Sequence, residues 1–450
     1  MSFPSDTIAA LATPVGTSAI AVVRASGPQT PALAVTLFGE RAPPRVARRA
    51  DYRDASGRVL DDVLFTCFAA PNSYTGEDSL EISCHGNPYL AQRILEDLFH
   101  RGCRPAEPGE FTKRAFLNGR MDLTQAEAVM DLIHARSERA LAAANQQLRG
   151  SLGRTMTGMV SKLIGVLATV EAYIDFPEED LPPENRAAIR LSLEELQYET
   201  GRLLLTGHYG ELLREGIRTV IVGEPNAGKS SLLNRLVGRD RALVSPEPGT
   251  TRDYLEEVVS MGPHLLRLID TAGLNSVPSP IERQGMDKTL EQARQAHLVL
   301  WVIDSTHELP SLAPEISGLI RPETAIAVFN KTDLPSRGEH KIPAGIRSVR
   351  VSALTGGGLD QLESTIVALA EECRKDAGEE IVVVNARHTV AIENARSGIG
   401  AALAKLESNS APELLASDLR EAMNALGEIA GRIDNEAVLD RLFATFCIGK

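Results

Sequence analysis

The sequence predicts a multidomain protein of α+β and α/β class, in which one domain contains a mostly parallel β-sheet. Residues 216–370 alternate short β-branched segments with amphipathic ones, a pattern typical of a parallel sheet covered by helices. Residues 1–118 mix strand and helix patterns, whereas the segments on either side of 216–370 are helical. A chain of 450 residues is long enough for about two to four domains.

The N-terminal region begins with strand patterns. The segments "TIAALAT", "SAIAVVR", "VLDDVLFTCFAA" and "SLEISCHG" are apolar or β-branched, and they end at Gly, Pro and Asn turn residues. In "PYLAQRILEDLFHRG" the apolar residues recur at helical spacing, and Gly102 stops the pattern. We expect an N-terminal domain of mixed strands and helices over 1–118.

Two helical regions follow, at 119–215 and 375–450. The first contains many Ala, Leu, Gln and Glu residues, all good helix formers, and the prolines of "DFPEEDLPPENR" predict a helix break. The second carries Leu415, Leu419 and Leu426 near the 3.6-residue period. Because neither block looks complete and they flank 216–374, we infer that this α/β domain is inserted into one helical domain.

Composition limits the partners and the location. The net charge of −13 predicts no large basic face, so any nucleic acid would meet local patches or a partner protein. Five cysteines, an odd count without metal-ligand spacing, favour the reducing cytoplasm. The N-terminus lacks a signal-peptide pattern, and no apolar run approaches transmembrane length, so we expect no membrane association.

The most specific pattern is "GEPNAGKSS", Gly223–Ser231, which follows the strand "TVIV" and matches G-x-x-x-x-G-K-[ST]. Such a loop surrounds phosphates with backbone N–H groups. Lys229 is expected to reach the β- and γ-phosphates, and the Ser230 hydroxyl to bind Mg²⁺. The predicted phosphate-binding residues are Asn226, Ala227, Gly228, Lys229, Ser230 and Ser231.

Four further segments complete a GTP-site pattern: "PGTTRD", "DTAG", "NKTD" and "SAL". Thr251 is a candidate second Mg²⁺ ligand, and Asp270 can act on Mg²⁺ through water. Asp333 can accept hydrogen bonds from guanine N1–H and the 2-amino group, donors that adenine lacks, and "SAL" can offer an N–H to guanine O6. The additional predicted nucleotide contacts are Ser245, Thr250, Thr251, Asp270, Thr271, Ala272, Gly273, Asn330, Lys331, Asp333, Ser352, Ala353 and Leu354.

Hydrolysis of GTP requires a group that orients water, and many GTPases place glutamine directly after DxxG. Here that position is Leu274, which cannot serve. Glu282, in the polar segment "NSVPSPIERQG", is the best candidate for the role, the alternative being a solvated loop glutamate. A monovalent cation near the Asn226 carbonyl could supply positive charge.

Segments inside and outside the nucleotide patterns resemble one family. "PNSYTGEDSLEISCHG", "FTKRAFLNGRMDLTQAEAVMDLI", "VGEPNAGKSSLLN" and the terminal "FCIGK" are similar to the MnmE (TrmE) family of tRNA-modification GTPases. The resemblance implies an N-terminal α/β domain that binds folate and forms a homodimer, and a helical domain with an inserted Ras-like P-loop GTPase domain. It implies potassium activation, with K⁺ near Asn226, Ser245, Glu247 and Thr250, and Glu282 as general base.

The same resemblance implies a site for a 5-formyl- or 5,10-methylene-tetrahydrofolate in the N-terminal domain. The matching positions are Arg24, Glu81, Arg120 and Lys450. Arg120 replaces the lysine usual in the family, and Asn87 stands where a second glycine is common. From the residues alone, each of these side chains could equally have a structural role.

The resemblance also implies a function for the terminal Cys447, needed for tRNA modification but not for GTP hydrolysis. The family modifies C5 of the wobble uridine (position 34) of certain tRNAs together with the FAD-dependent MnmG, as a heterotetramer or larger assembly. Two alternatives are a GTPase of ribosome assembly and a folate-dependent one-carbon transferase with a regulatory GTPase domain.

Overall fold

A computed structural model of the chain describes residues 6–39, 42–175, 183–240, 256–269, 294–309, 317–336, 342–375, 384–408, 410–431, 442–444, 446 and 449. The chain divides into two compact units. The first comprises Met1–Met130, Gly153–Val160 and Leu426–Lys450, and the second comprises Asp131–Leu152 and Ser161–Ala425.

The first unit is built on a six-stranded sheet with the order β3-β4-β5-β2-β1-β6. Its strands are β1 (Ile8–Leu11), β2 (Ile20–Ser26), β3 (Ala47–Arg53), β4 (Val59–Phe68), β5 (Ser79–His85) and β6 (Arg104–Pro105). Neighbouring strands are antiparallel except β1 and β6, which are parallel. Alternate residues of β2 and β5, including Val23, Leu80 and Ile82, are buried, as expected for strands with one face on a core.

Helices α1 (Thr30–Phe38), α2 (Pro88–His100) and α3 (Glu110–Leu117) accompany this sheet. Asn87, which replaces the family's glycine, caps α2: its side chain accepts hydrogen bonds from the N–H groups of Tyr89 and Leu90. Pro88 then occupies the first helical turn, where no N–H is needed. Buried Ile94 and Leu98 place one face of α2 in the core.

The remaining helices are α4 (Leu123–His134), α5 (Glu138–Leu148), α6 (Ser151–Asp175), α7 (Pro183–Glu215), α8 (Lys229–Asp240), α9 (Leu359–Lys375), α10 (Ala386–Glu407) and α11 (Pro412–Ala430). The predicted proline-rich break falls largely on residues 176–182, between α6 and α7, and those residues lie outside the described part of the chain. Helix α10 packs along α7. Gly207 allows close approach, since a Cβ there would lie 3.0 Å from Thr389 Oγ1.

Helix α6 corrects the expectation that no apolar segment approaches transmembrane length. By length and composition it could cross a membrane, and it is the single such helix in the described part of the chain. However, Lys162 in its middle pairs with Glu199 of α7 at 2.8 Å. One such helix is weak evidence for a membrane protein, because core helices of soluble helical domains meet the same criteria.

The second unit contains a six-stranded sheet with the order β12-β11-β10-β7-β9-β8. The strands are β7 (Ile217–Val222), β8 (Glu256–Met261), β9 (His264–Ile269), β10 (Leu298–Asp304), β11 (Ala325–Asn330) and β12 (Arg347–Arg350). All neighbours are parallel except β8 and β9. The central strands are buried on both faces, which explains their continuous apolar sequences and confirms the predicted mostly parallel sheet.

Candidate functional site

The loop 223–228 connects the carboxyl end of β7 to the start of α8. Gly223, Asn226 and Gly228 have positive φ angles of 153°, 64° and 94°. At Gly223 the requirement for glycine is also steric, because a Cβ would lie 2.2 Å from the carbonyl oxygen of Val302 on β10. The loop therefore follows a tight path against the neighbouring strand, as a phosphate-binding loop requires.

Lys229, the first residue of α8, turns its side chain back over the loop. Its Nζ donates hydrogen bonds to the carbonyl oxygens of Gly223 at 2.9 Å and Glu224 at 2.8 Å. Ser230 and Ser231 are exposed on the first turn of the helix. An ammonium group, exposed hydroxyls and a helix N-terminus thus meet at one place, which favours a phosphate group.

Asn330, at the end of β11, connects three of the predicted segments. Its Nδ2 donates to the Ala227 carbonyl at 2.9 Å, and its Oδ1 accepts from the Ala353 N–H at 2.9 Å. The side chain is buried, and a Cβ at Gly228 would lie 2.2 Å from Nδ2. The phosphate loop, the NKTD segment and the SAL segment are therefore held in one hydrogen-bonded arrangement.

The neighbouring polar residues are also fixed. The Ser352 hydroxyl donates to Asp333 Oδ1 at 2.5 Å, and Lys331, whose φ is 62°, pairs with Asp304 Oδ2 at 2.6 Å. Burial raises the pKa of Asp304, but hydrogen bonds from Lys331 and Thr306 outweigh burial and hold that pKa well below its usual range. Asp304 is therefore ionised at neutral pH and orients Lys331.

Several predicted residues lie outside the described part of the chain, and their roles stay predictions. They are Ser245, Glu247, Thr250, Thr251, Asp270, Thr271, Ala272, Gly273, Glu282, Cys447 and Lys450.

In the first unit, Arg24 of β2 and Glu81 of β5 are directly paired across the sheet. Arg24 Nε and Nη2 approach Glu81 Oε1 at 2.9 and 2.8 Å. The guanidinium carbon lies 5.3 Å from the ring centroid of Tyr74 and 5.7 Å from that of Phe111. The result is a guanidinium–carboxylate pair bordered by two aromatic rings, and the sequence patterns did not identify either ring.

The C-terminal segment packs beside this pair. Arg24 Nη1 donates to the Gly449 carbonyl at 3.4 Å. Gly449 has φ 92°, and a Cβ there would lie 2.2 Å from the Leu11 carbonyl oxygen. Phe443 and Phe446 are buried and contact each other, with ring centroids 5.2 Å apart. These two aromatic anchors, also missed at the sequence level, hold the segment on the first unit.

Arg120 is exposed after α3, and its backbone N–H donates to the Ala115 carbonyl at 2.9 Å. Its side chain lies beside Gly76, where a Cβ would come within 3.1 Å of Arg120 Cγ. Gly76 is two residues from Tyr74 in the same loop. Arg120 therefore borders the loop whose tyrosine contacts Arg24, with its guanidinium accessible to a ligand.

The mostly parallel sheet, the glycine-rich loop at the end of β7 and the NKTD and SAL segments beside it together have the form of a P-loop GTPase. The family model of the MnmE helical domain matches residues 123–447, and that of the GTP-binding protein TrmE N-terminus matches residues 7–120. The chain belongs to the MnmE family of tRNA modification GTPases. It is accordingly a GTP hydrolase that takes part in tRNA modification.

Relatives carry the similarity over the full length. A tRNA modification GTPase MnmE of Opitutus terrae is 57% identical over 448 residues, covering 99% of each chain. One of Akkermansia muciniphila is 45% identical over 462 residues, covering 100% of each chain. A likeness of this extent includes the regions outside the GTPase fold, and it counts against a ribosome-assembly GTPase.

Proposed function

We propose that this protein hydrolyses GTP as the conformational step in modifying C5 of the wobble uridine, position 34, of certain tRNAs, using a tetrahydrofolate one-carbon unit. One observation carries the proposal. The Gly449 carbonyl accepts a hydrogen bond from Arg24, which is itself paired with Glu81. Gly449 is two residues along the chain from Cys447. The C-terminal segment thus reaches the polar pair that the family resemblance links to folate.

The geometry of the described residues supports the proposed nucleotide roles, and the role of Thr251 is carried by its sequence position. Lys229 binds the β- and γ-phosphates, exchanging its contacts to loop carbonyls for phosphate oxygens. The exposed Ser230 hydroxyl fits a hard-cation ligand such as Mg²⁺, with Thr251 as the second protein ligand. Asp333 pairs with guanine. Because the N–H groups of Ser352 and Ala353 donate to Gly357 and Asn330, the Leu354 N–H is the candidate donor to guanine O6.

Glu282 is proposed as the general base, since Leu274 cannot orient water. Potassium is proposed at Asn226, Ser245, Glu247 and Thr250. The exposed, left-handed Asn226 suits such a site, because oxygen ligands are what a hard monovalent cation prefers.

The folate site would use Arg24, Glu81, Arg120 and Lys450. The donor set fits a flat heterocycle: a carboxylate and a guanidinium can hydrogen-bond its edge, and the partly exposed Tyr74 supplies an aromatic wall, whereas Phe111 is fully buried and packs against Arg24. When bound, the folate supplies the carbon that is transferred. The chain's own residues bind and orient it, and Cys447 acts near that carbon.

The assembly is proposed as a cytoplasmic homodimer formed through the N-terminal domains, acting with the FAD-dependent MnmG in a heterotetramer or larger complex. The proposed domains are the N-terminal domain at 1–118, the helical domain in two parts at 119–215 and 375–450, and the inserted GTPase domain at 216–374. The net charge of −13 supports a division of labour in which the partner supplies much of the tRNA-binding surface.

The test is mass spectrometry of nucleosides in tRNA from cells that lack this protein. C5-modified wobble uridines should disappear, the wild-type copy should restore them, and a Cys447→Ser copy should not. The purified C447S protein should still hydrolyse GTP. Unchanged nucleosides in the deletion strain would overturn the wobble-uridine assignment, and full rescue by C447S would remove the cysteine from the chemistry.

A further inference from the structure

Three elements of the second unit meet at one carboxylate, Glu371 of α9. Arg139, in the first turn of α5, approaches Glu371 Oε1 with Nε at 3.1 Å and Nη2 at 3.0 Å. His264, the first residue of β9, donates from Nε2 to the same oxygen at 3.0 Å. The Arg139 N–H also donates to the Pro263 carbonyl at 3.3 Å. Glu371 therefore joins α5 to the turn between β8 and β9.

The turn is fastened to α9 at a second point. The Gly262 N–H donates to Glu363 Oε1 at 3.2 Å. Gly262 has φ 56°, and a Cβ there would lie 2.9 Å from Val367 Cγ2, so the turn lies directly on the helix. His264 is buried, and burial lowers its pKa, so a neutral imidazole with its proton on Nε2 fits the contact to Glu371.

The other ends of β8 and β9 lead to the segments proposed for catalysis. Strand β8 begins five residues after Thr251, and β9 ends one residue before Asp270. The two strands are paired along their full length, with Glu256 opposite Ile269 and Met261 opposite His264. A paired hairpin moves as a unit, so a displaced turn also displaces the other ends of β8 and β9, from which the chain continues to those segments.

Helix α5 has room to shift on its other side. A cavity of about 220 Å³ lies among α4, α5 and α7, and much of its lining is the small side chains of Ala140, Ala143 and Ala144 with Gly210. A helix shifts more easily where small side chains line a cavity, because few atoms must be repacked. The Arg139–Glu371 pair is therefore one of the contacts that set the position of α5 relative to the hairpin, beside the packing of Ala140 and Ala143 against the core.

We propose that Glu371 is a positioning residue for GTP hydrolysis: it fixes the turn of the β8–β9 hairpin, whose other ends lead along the chain to Thr251 and Asp270, and links that hairpin to α5. This inference rests on the proposed roles of Thr251 and Asp270. Glu371 contacts the hairpin at its turn. We therefore expect loss of this contact to lower kcat by changing the position of the hairpin, while the phosphate loop stays intact.

The experiment compares steady-state GTP hydrolysis by Glu371→Gln, Arg139→Gln, the double variant and Glu372→Gln. E371Q and R139Q should each lower kcat by about tenfold, with GTP affinity unchanged, because small displacements far from the chemistry are costly. The double variant should lose no more than E371Q, because both changes break one link. E372Q is the matched control: Glu372 also lies on α9, but it pairs with Arg347 of β12.

Hydrogen exchange separates positioning from plain stability. Amides of β8 and β9 should exchange faster in E371Q than in E372Q, while those of α8 stay unchanged. A kcat equal to wild type in both E371Q and R139Q, with only a lower melting temperature, overturns the proposal.

Asp270→Ala distinguishes the two levels of inference. If D270A hydrolyses GTP at the wild-type rate, the proposed catalytic segment is wrong, and the positioning role falls with it. If D270A is inactive while E371Q and R139Q are fully active, the proposed function stands and only the positioning role is refuted.

Discussion

At the scale of single residues, Asn330 shows how one buried amide organises a site. Its side chain donates a hydrogen bond to the Ala227 carbonyl of the phosphate loop and accepts one from the Ala353 N–H of the SAL segment. Each hydrogen bond contributes only about 1 kcal/mol, but a buried amide without partners costs about 1–3 kcal/mol. The alternative loop positions are therefore disfavoured, and Gly228 is needed because a Cβ would collide with the same amide.

The proposed role of Asp333 in binding guanine is testable at this scale. Asp333→Asn keeps an Oδ1 acceptor for the Ser352 hydroxyl but loses the charged acceptor for guanine N1–H and the 2-amino group. GTP affinity should fall by about 10- to 100-fold, the range for hydrogen bonds to a charged group. Binding of xanthosine triphosphate should improve. Equilibrium titration with both nucleotides measures this, and an unchanged preference would remove Asp333 from base recognition.

Gly449 gives a second residue-scale prediction. Gly449→Ala places a Cβ 2.2 Å from the Leu11 carbonyl at a φ of 92°, so the C-terminal segment should be displaced from Arg24. Wobble-uridine modification should drop by at least tenfold, while GTP hydrolysis stays at the wild-type rate. Gly57→Ala, in the turn between β3 and β4, is the matched control, since its φ is also positive, at 82°, but its Cβ would meet nothing within 4 Å. Equal modification by G449A and G57A would contradict the tail placement.

At the scale of elements, an ion network fixes α3 to the sheet of the first unit. Arg104 of β6 and Arg114 of α3 both bind Glu110 Oε1, at 2.6 and 2.9 Å. Arg114 also binds Asp6 Oδ1 at 2.8 Å. Burial raises the pKa of Glu110, but the arginines and the Glu107 N–H outweigh burial and hold the pKa below its usual range.

The lowered pKa of Glu110 predicts that the stability of α3 depends on pH, and the direction of the pKa shift sets the sign of that dependence. The pKa of Glu110 is lower in the folded than in the unfolded chain, so its stabilisation is present above about pH 4.5 and is lost as the pH falls further. We expect α3 amides to lose protection in acid, measured by hydrogen exchange corrected for intrinsic rates. In Glu110→Gln this loss should be smaller, and the remainder should come from Asp6. Burial raises the pKa of Asp6, but hydrogen bonds from Arg104 and Arg114 hold that pKa below its usual value. An identical loss in the variant would assign the effect to other groups.

At the scale of the whole molecule, hydrolysis is proposed to depend on potassium. Replacing K⁺ with Na⁺ at constant ionic strength and Mg²⁺ should slow turnover by at least tenfold, because a positive charge near the developing negative charge is lost or misplaced. GTP binding, measured separately, should change little. Equal rates in the two salts would remove the cation from the catalytic scheme.

Many elements were predictable because their patterns are local. The alternation of short β-branched segments with amphipathic ones over 216–370 predicted the mostly parallel sheet that contains β7, β9, β10 and β11. Strand β3 and helices α1 and α3 were not identified. The sequence of β3, "ARRADYR", has mostly exposed side chains, and it becomes a strand through pairing with β4 rather than through its own pattern.

By itself, the sequence determined the phosphate loop and the order of the nucleotide segments, because each consists of adjacent residues whose chemistry depends on local backbone geometry. Only the tertiary structure decided that Arg24 meets both Glu81 and Gly449, since the last contact joins residues 425 positions apart. The same holds for the aromatic rings beside Arg24 and for Glu371 between α5 and the hairpin. Such contacts arise when distant elements bury their apolar faces together, and packing then selects which polar groups meet.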